Sequence, residues 1–323
     1  MSSTRKIYGR AALLMAGIAL ASAVLTHFTG TVDTTRRGKT VVTTVYPLYV
    51  AAQNVLGDIP GITLVNLTGS ATGCLHDYQL SPANRITLGS ADLLLLNGAR
   101  AESFLEDVLP TLSATAVDTS AGLPLLDGDG HDHDHDHAHS HATEEDHDED
   151  HAHADNEHVW VSPTRYAAQV QAITDALCTL DPANAVAYTA NGAAYRTQVL
   201  AVADELQQLA AALDGRSCIT FHESLAYLAD DLGLHTAVSL TIGEDSGVSA
   251  GDLAAAQQAI KADGRLLLLY DNQYTVRYTA LDRQVPAAQV LALDTAVKGS
   301  GHPDDWLRAM QHNITLLRQV TEG

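Results

Sequence analysis

Short apolar runs separated by turn residues recur from about residue 39 to the end of the chain, and they predict alternating strands and helices. Two runs are apolar at every central position, Asp92–Asn97 (DLLLLN) and Arg265–Tyr270 (RLLLLY), which is typical of parallel strands buried on both faces. Serine–proline pairs at Ser81 and Ser162 favour helix starts. The predicted strands are residues 40–45, 62–67, 92–97, 114–118, 218–221, 236–241, 265–270 and 289–293. The predicted helices include residues 101–112, 162–180, 224–232, 249–263, 276–283 and 303–320.

A longer helical segment separates the two halves of this pattern. Residues 183–213 are rich in Ala, Leu, Gln and Glu and contain no proline, so one helix of roughly 46 Å is expected. The alternative is two helices that break at Gly192. We therefore expect an α/β protein of two lobes, each a parallel sheet covered by helices, joined by a long rigid helix. The expected division is 1–38 (signal peptide or membrane anchor plus linker), 39–181 (N-terminal lobe), 182–214 (linking helix) and 215–323 (C-terminal lobe).

The N-terminus carries an export signal. Three basic residues within the first ten precede an apolar run at 11–28, which is the pattern of a secretory signal. Its 18 residues are also just long enough to span a bilayer, so cleavage and retention as an anchor both remain open. We expect an extracytoplasmic protein, at the cell surface or in the periplasm.

The charge composition narrows the function further. The 323 residues include 18 Lys+Arg and 39 Asp+Glu, a net charge of −21, which disfavours nucleic acid as a partner. Much of this charge lies in the low-complexity segment 127–157, where thirteen acidic residues accompany nine of the sixteen histidines. We expect this segment to be a solvated, disordered loop within the N-terminal lobe that binds divalent cations weakly and captures or buffers them. Three cysteines are too few for a disulfide scaffold, and no pairing is favoured among Cys74, Cys178 and Cys218.

Four polar side chains fall where parallel α/β sheets bind ligands, beyond the carboxyl ends of the strands. His222 follows the strand 218–221 and Asp294 follows the strand 289–293, although an Asp after a strand is also a common turn cap. His76 lies between a strand and the Ser81 helix start, and His158 lies just before Ser162. Imidazole and carboxylate groups from both lobes predict a closed cation site between the lobes.

Several sequence motifs then point to one family. They are VVTTVYPLYVAAQNVLGD at 41–58, GCLHDYQLSP at 73–82, NEHVWVSP at 156–163 and FHESLAYLADDLGL at 221–234. From Val41 onward the chain resembles the metal-binding substrate-binding proteins of ABC transporters, most closely their zinc-uptake branch. The resemblance implies two α/β lobes with the ion between them and metal ligands at His76, His158 and His222. It suggests Asp294, within LALDTAVKG, as the fourth ligand.

Donor chemistry favours Zn(II) as the ion, because three neutral imidazoles suit zinc whereas a manganese site is richer in oxygen. The expected function is a monomeric extracytoplasmic zinc receptor that delivers Zn(II) to an ABC permease, with zinc as the transported ligand and no enzyme activity. Since binding needs neutral imidazole, affinity is expected to fall below a pH of roughly 6.5. The alternatives are a receptor for manganese or another divalent metal, a metal buffer or adhesin, and a zinc hydrolase with Glu223 as base.

Overall fold

The computed structural model describes residues 38–70, 72–73, 75, 78–128, 155–240, 248–274 and 278–322. The described residues from Lys39 onward belong to one compact unit. Four subjects of the sequence predictions lie outside the described residues: the N-terminal segment up to residue 37, the histidine-rich stretch 129–154, Cys74 and His76.

The strands of the described residues form two parallel sheets of four strands with the same order. The first sheet has the order β2-β1-β3-β4 and the second the order β6-β5-β7-β8. The two inner strands that carry the apolar runs, Leu93–Leu96 and Leu267–Asp271, are buried at all positions but Leu96, as those runs predict. The expected α/β fold of two parallel-sheet lobes is therefore confirmed. The strands are β1 (Lys39–Thr43), β2 (Ile62–Asn66), β3 (Leu93–Leu96), β4 (Thr115–Asp118), β5 (Ser217–Thr220), β6 (His235–Ser239), β7 (Leu267–Asp271) and β8 (Val290–Leu293).

The helices pack on these sheets, and several begin at the serines that the sequence singled out. Ser81, Ser162 and Ser249 each cap a helix by accepting a hydrogen bond from the backbone N–H three residues further on. The helices are α1 (Tyr46–Leu56), α2 (Pro82–Gly89), α3 (Pro163–Leu180), α4 (Ala185–Leu213), α5 (Ala226–Asp231), α6 (Ala250–Ala262), α7 (Thr279–Asp282) and α8 (Asp305–Glu322).

The long helix α4 is continuous over 29 residues, roughly 44 Å, and the alternative of a break at Gly192 is wrong. Gly192 is buried where α4 crosses α3. A Cβ atom at this position would lie 2.2 Å from Oγ1 and 3.0 Å from Cγ2 of Thr174 on α3. The glycine therefore allows a close helix–helix approach and does not end the helix.

Gly192→Ala is accordingly expected to destabilise the protein, although alanine is the better helix former by about 1 kcal/mol. Thr174 is β-branched and buried, so it cannot easily move aside, and overpacking costs about 1–3 kcal/mol. We expect a net loss of up to about 2 kcal/mol in urea unfolding, partly restored in the double variant Gly192→Ala/Thr174→Ala. A single variant more stable than the wild type would contradict this view of the crossing.

One predicted helix is wrong. Residues 101–112 form two 3₁₀ turns, Ser103–Leu105 and Leu109–Thr111, instead of a continuous helix. The chain leaves β3 through three consecutive residues with positive φ, Gly98, Ala99 and Arg100 (81°, 50° and 63°), which is incompatible with a right-handed helix start. Pro110 then lacks the N–H that a continuing helix would need. The predicted helix 276–283 is shorter, with only α7 among its described residues.

Both lobes and α4 share one apolar core. It includes Val41 and Leu95 from the first lobe, Val199 from α4 and Leu267 from the second lobe. Two buried indole groups add hydrogen bonds to this core. Trp160 Nε1 donates to the carbonyl of Thr295 (2.8 Å), and Trp306 Nε1 donates to the carbonyl of Trp160 (3.0 Å). A core shared in this way opposes a wide hinge movement of one lobe against the other.

Two further questions from the sequence are whether a helix spans a membrane and whether the cysteines pair. Of the helices in the described ranges, none is long and apolar enough to cross a membrane, and the apolar run 11–28 lies outside those ranges. Cys178 and Cys218 both carry free thiols. Burial raises the pKa of Cys218 to about 11, so this thiol is unreactive near neutral pH.

Candidate metal site

His158 and His222 meet between the lobes. His222 follows β5 at the point where the order of the second sheet reverses, the usual ligand position in a doubly wound sheet. His158 opens the 3₁₀ turn before α3. Its loop is held at the corresponding edge of the first sheet, where Asn97 Nδ2 donates to the carbonyl of Glu157 (2.8 Å). The two imidazole rings are almost fully buried, with centroids 5.4 Å apart and planes at 88°.

This spacing suits a shared cation. A metal bound to two imidazole nitrogens at 2.0–2.1 Å in tetrahedral geometry places the ring centroids roughly 5 Å apart. The observed separation is 5.4 Å. The distance between the rings is therefore compatible with a shared ion, whereas the direction of each nitrogen is set by the hydrogen bonds of its own ring.

Asn156 fixes the orientation and tautomer of His158. Its Oδ1 accepts the backbone N–H of His158 (2.9 Å) and faces the Nδ1 atom of the same residue at 3.0 Å. Its Nδ2 donates to the carbonyl of Glu223 in the other lobe (3.0 Å). These backbone partners assign the amide unambiguously, so Nδ1 of the neutral imidazole must carry the proton. Nε2 of His158 is then the nitrogen with the lone pair that a cation needs.

His222 has the opposite tautomer. The backbone N–H of Ser224 donates to its Nδ1 (3.0 Å), so Nδ1 carries the lone pair and Nε2 carries the proton of the neutral ring. Tyr274, just beyond β7, places its hydroxyl oxygen 3.1 Å from that Nε2. The two histidines therefore have different tautomers. Nε2 of His158 carries a lone pair, whereas Nε2 of His222 carries a proton.

Each lobe also has a buried carboxyl group near the carboxyl ends of its strands. Asp271, at the end of β7, accepts hydrogen bonds from Ser224 Oγ (2.6 Å) and Gln273 Nε2 (2.6 Å). Glu102 accepts hydrogen bonds from Thr44 Oγ1 (2.5 Å), Asn97 N (2.6 Å) and Gly98 N (3.1 Å). Burial raises the pKa of Asp271, and it raises the pKa of Glu102 to about 7 although the three donors act to lower it. These groups stabilise the strand ends that carry the site.

The other two predicted ligands are His76 and Asp294. His76 lies outside the described residues. Asp294 uses Oδ1 to accept the backbone N–H of Ala296 (2.8 Å), the turn-cap role that is common after a strand. No three His, Cys, Asp or Glu side chains of the described residues are grouped closely enough to hold one ion. The ligand roles of all four residues therefore stay predictions.

Sequence reasoning missed three residues that shape the site: Asn156, Asp271 and Tyr274. Asp271 could have been found, because it directly follows the buried run 265–270 and parallel strands end at one edge. Asn156 opens the quoted motif NEHVWVSP, but nothing in that motif indicates that its amide orients His158. Tyr274 lies in a turn in which its backbone N–H donates to the carbonyl of Asp271 (3.2 Å). This turn brings its hydroxyl to His222, and the sequence gives no signal of that contact.

Two lobes of equal strand order, bridged by one long helix, are the fold of the helix-braced class of substrate-binding proteins (SBPs). The same fold occurs in the SBP FpvC from Pseudomonas aeruginosa in complex with Mn²⁺, with a TM-score of 0.69 and 22% identity over 88% of this chain and 98% of that chain. At the level of sequence, the chain belongs to the family described as zinc-uptake complex component A, periplasmic, which matches residues 41–320. The family resemblance expected from the motifs is confirmed.

Curated relatives support the same family. The chain is 35% identical over 247 residues to the high-affinity zinc uptake system protein ZnuA of Paracoccus denitrificans, which covers 69% of this chain and 73% of that protein. It is 28% identical over 207 residues to the iron-binding protein YfeA of Yersinia pestis, which covers 62% of this chain and 58% of that protein. The match thus spans little more than half the length of the second relative.

Proposed function

We propose that the protein binds Zn(II) outside the cytoplasm and delivers it to an ABC permease for uptake. The observation that carries the proposal is the pair of buried imidazoles from opposite lobes, with centroids 5.4 Å apart. Membership in a zinc-uptake family supports zinc as cargo over zinc as the cofactor of a hydrolase. Export would proceed through the N-terminal segment, and the receptor would act as a monomer.

In this proposal His76, His158, His222 and Asp294 hold the ion. His158 contributes Nε2, since its Nδ1 is held by Asn156. Nitrogen donors favour zinc over the harder cations. The second metal candidate is iron or manganese, because one relative is named as iron-binding and a solved structure of the same fold contains Mn²⁺.

Zinc titration against a chromogenic chelator, in wild type and in a variant lacking residues 129–154, tests the proposal. We expect one tight site per chain in both proteins, and additional weak sites only in the wild type, because the deleted stretch carries histidines that are separate from the paired ones. Manganese in hundredfold excess should leave the tight zinc bound. Displacement of zinc by equimolar manganese or ferrous ion would favour the second candidate.

Delivery is tested in cells of the source organism. Deletion of the gene is expected to reduce uptake of radioactive zinc at limiting concentration, and the wild-type protein should restore it. Unchanged uptake together with tight binding in vitro would indicate a metal buffer or adhesin instead of a transport receptor.

A further inference from the structure

Tyr274 is held firmly beside His222. Its backbone is fixed by the turn that follows β7, where Oδ1 of Asp271 accepts the backbone N–H of Gln273 (3.0 Å) and the backbone carbonyl of Asp271 accepts the backbone N–H of Tyr274 (3.2 Å). The phenol ring lies next to the imidazole, with centroids 4.9 Å apart and planes at 31°. Its hydroxyl oxygen is 3.1 Å from His222 Nε2. The buried Asp271 thus positions the phenol through the turn.

Both nitrogens of His222 are engaged in this arrangement. Nδ1 accepts the backbone N–H of Ser224, a donor that cannot rotate away because it belongs to the 3₁₀ turn Glu223–Leu225. Nε2 therefore carries the ring proton and donates it to the hydroxyl oxygen of Tyr274. His222 cannot bind a cation through either nitrogen without losing one of these two partners.

A cation on Nε2 would compete with the phenol for the same space. The metal–nitrogen bond is about 2.0–2.1 Å, and the hydroxyl oxygen lies 3.1 Å from the same nitrogen. A cation on the hydrogen-bonded side of Nε2 would therefore lie about 1–2 Å from that oxygen. This is shorter than a non-bonded contact, so the side chains must rearrange when the cation binds.

We propose that Tyr274 is a positioning residue that, together with the backbone N–H of Ser224, latches His222 in a metal-free orientation and is displaced when zinc binds. This inference rests on the proposed zinc function and names the step that loads the site. On loading, the Nε2 proton passes to water and Nδ1 takes up a proton from water, so the imidazole stays neutral and the proton count balances. A protonated Nδ1 cannot face the N–H of Ser224, and the ring therefore turns away from that donor.

The test compares Tyr274→Phe with wild type and with Tyr278→Phe. The control removes a hydroxyl that follows the same strand but accepts the backbone N–H of Val248 (2.8 Å), away from His222. Because one hydrogen bond of the metal-free state is removed, we expect zinc affinity to rise about three- to tenfold. The association rate should rise by this factor and the dissociation rate should stay unchanged, while Tyr278→Phe should match the wild type.

Nitrogen-15 NMR of the histidine side chains gives a readout that does not depend on affinity. In metal-free wild type the His222 proton is expected on Nε2, and after addition of zinc on Nδ1. A fall in the affinity of Tyr274→Phe, with faster dissociation, would make the phenol a metal ligand and overturn the latch, as would unchanged affinity. Wild type that binds no zinc would instead refute the proposed function, so the two failures are distinguishable.

Discussion

Alanine at His158 or at His222 is expected to reduce zinc affinity by more than a hundredfold. Each variant removes one imidazole of a pair that is buried between the lobes with centroids 5.4 Å apart. Loss of a residue that merely orients a ligand typically costs 10–100-fold, and loss of the ligand itself should cost more. Competition with a chelator of known affinity, in a background lacking residues 129–154, measures the loss without interference from the histidine-rich stretch.

His312→Ala is the matched control for this experiment. His312 is an exposed histidine on α8 that the proposed site does not use, so its replacement should leave affinity within twofold of the wild type. His76→Ala should behave like the two site variants if the resemblance to the family assigns it correctly. Asp294→Asn keeps the Oδ1 cap of Ala296 and removes only the charge, so a large loss in this variant would identify a ligand. Retention of tight binding in both His158→Ala and His222→Ala would refute the site.

Much of the fold could be predicted because local patterns and the tertiary structure agree. The apolar run Leu93–Leu96 predicts a buried parallel strand, and the absence of proline from 183–213 predicts the long helix α4. The error at 101–112 arose where tertiary contacts overrule propensity. There the chain adopts three positive φ angles while Glu102 accepts hydrogen bonds from the backbone of Asn97 and Gly98. A buried carboxylate that organises a turn leaves no periodic signal in a sequence.

The site was predictable to the extent that strand ends determine it. His222 follows β5 and could be placed from the order of strands and helices alone, and the meeting of His158 with His222 follows from two sheets that face each other. The tautomer and the orientation of each imidazole ring could not be predicted. It depends on which nitrogen faces Asn156 Oδ1 and which faces the N–H of Ser224, and these contacts are set by side-chain packing across the lobes.

Asn156→Ala is expected to weaken both zinc binding and the fold, because this amide links the two lobes at the site. The variant removes the Asn156 acceptor of the backbone N–H of His158 and one donor to the carbonyl of Glu223, which also accepts the backbone N–H of Ala226. We expect a loss of about 1–3 kcal/mol in the free energy of unfolding. We also expect a 10–100-fold loss of zinc affinity, because His158 loses the partner that fixes its tautomer. Urea unfolding of the metal-free protein and chelator competition measure the two effects separately.

Asn156→Asp separates the two roles of the amide. The carboxylate still accepts from the backbone N–H and from Nδ1–H of His158, so the imidazole should keep the tautomer that presents Nε2. The same change places an oxygen against the carbonyl of Glu223, where Nδ2 now donates at 3.0 Å, and should destabilise the contact between the lobes. We therefore expect stability to fall as in the alanine variant while most of the zinc affinity is retained. An equal loss of affinity in both variants would assign Asn156 to the lobe contact alone, and the orientation of His158 would then need another cause.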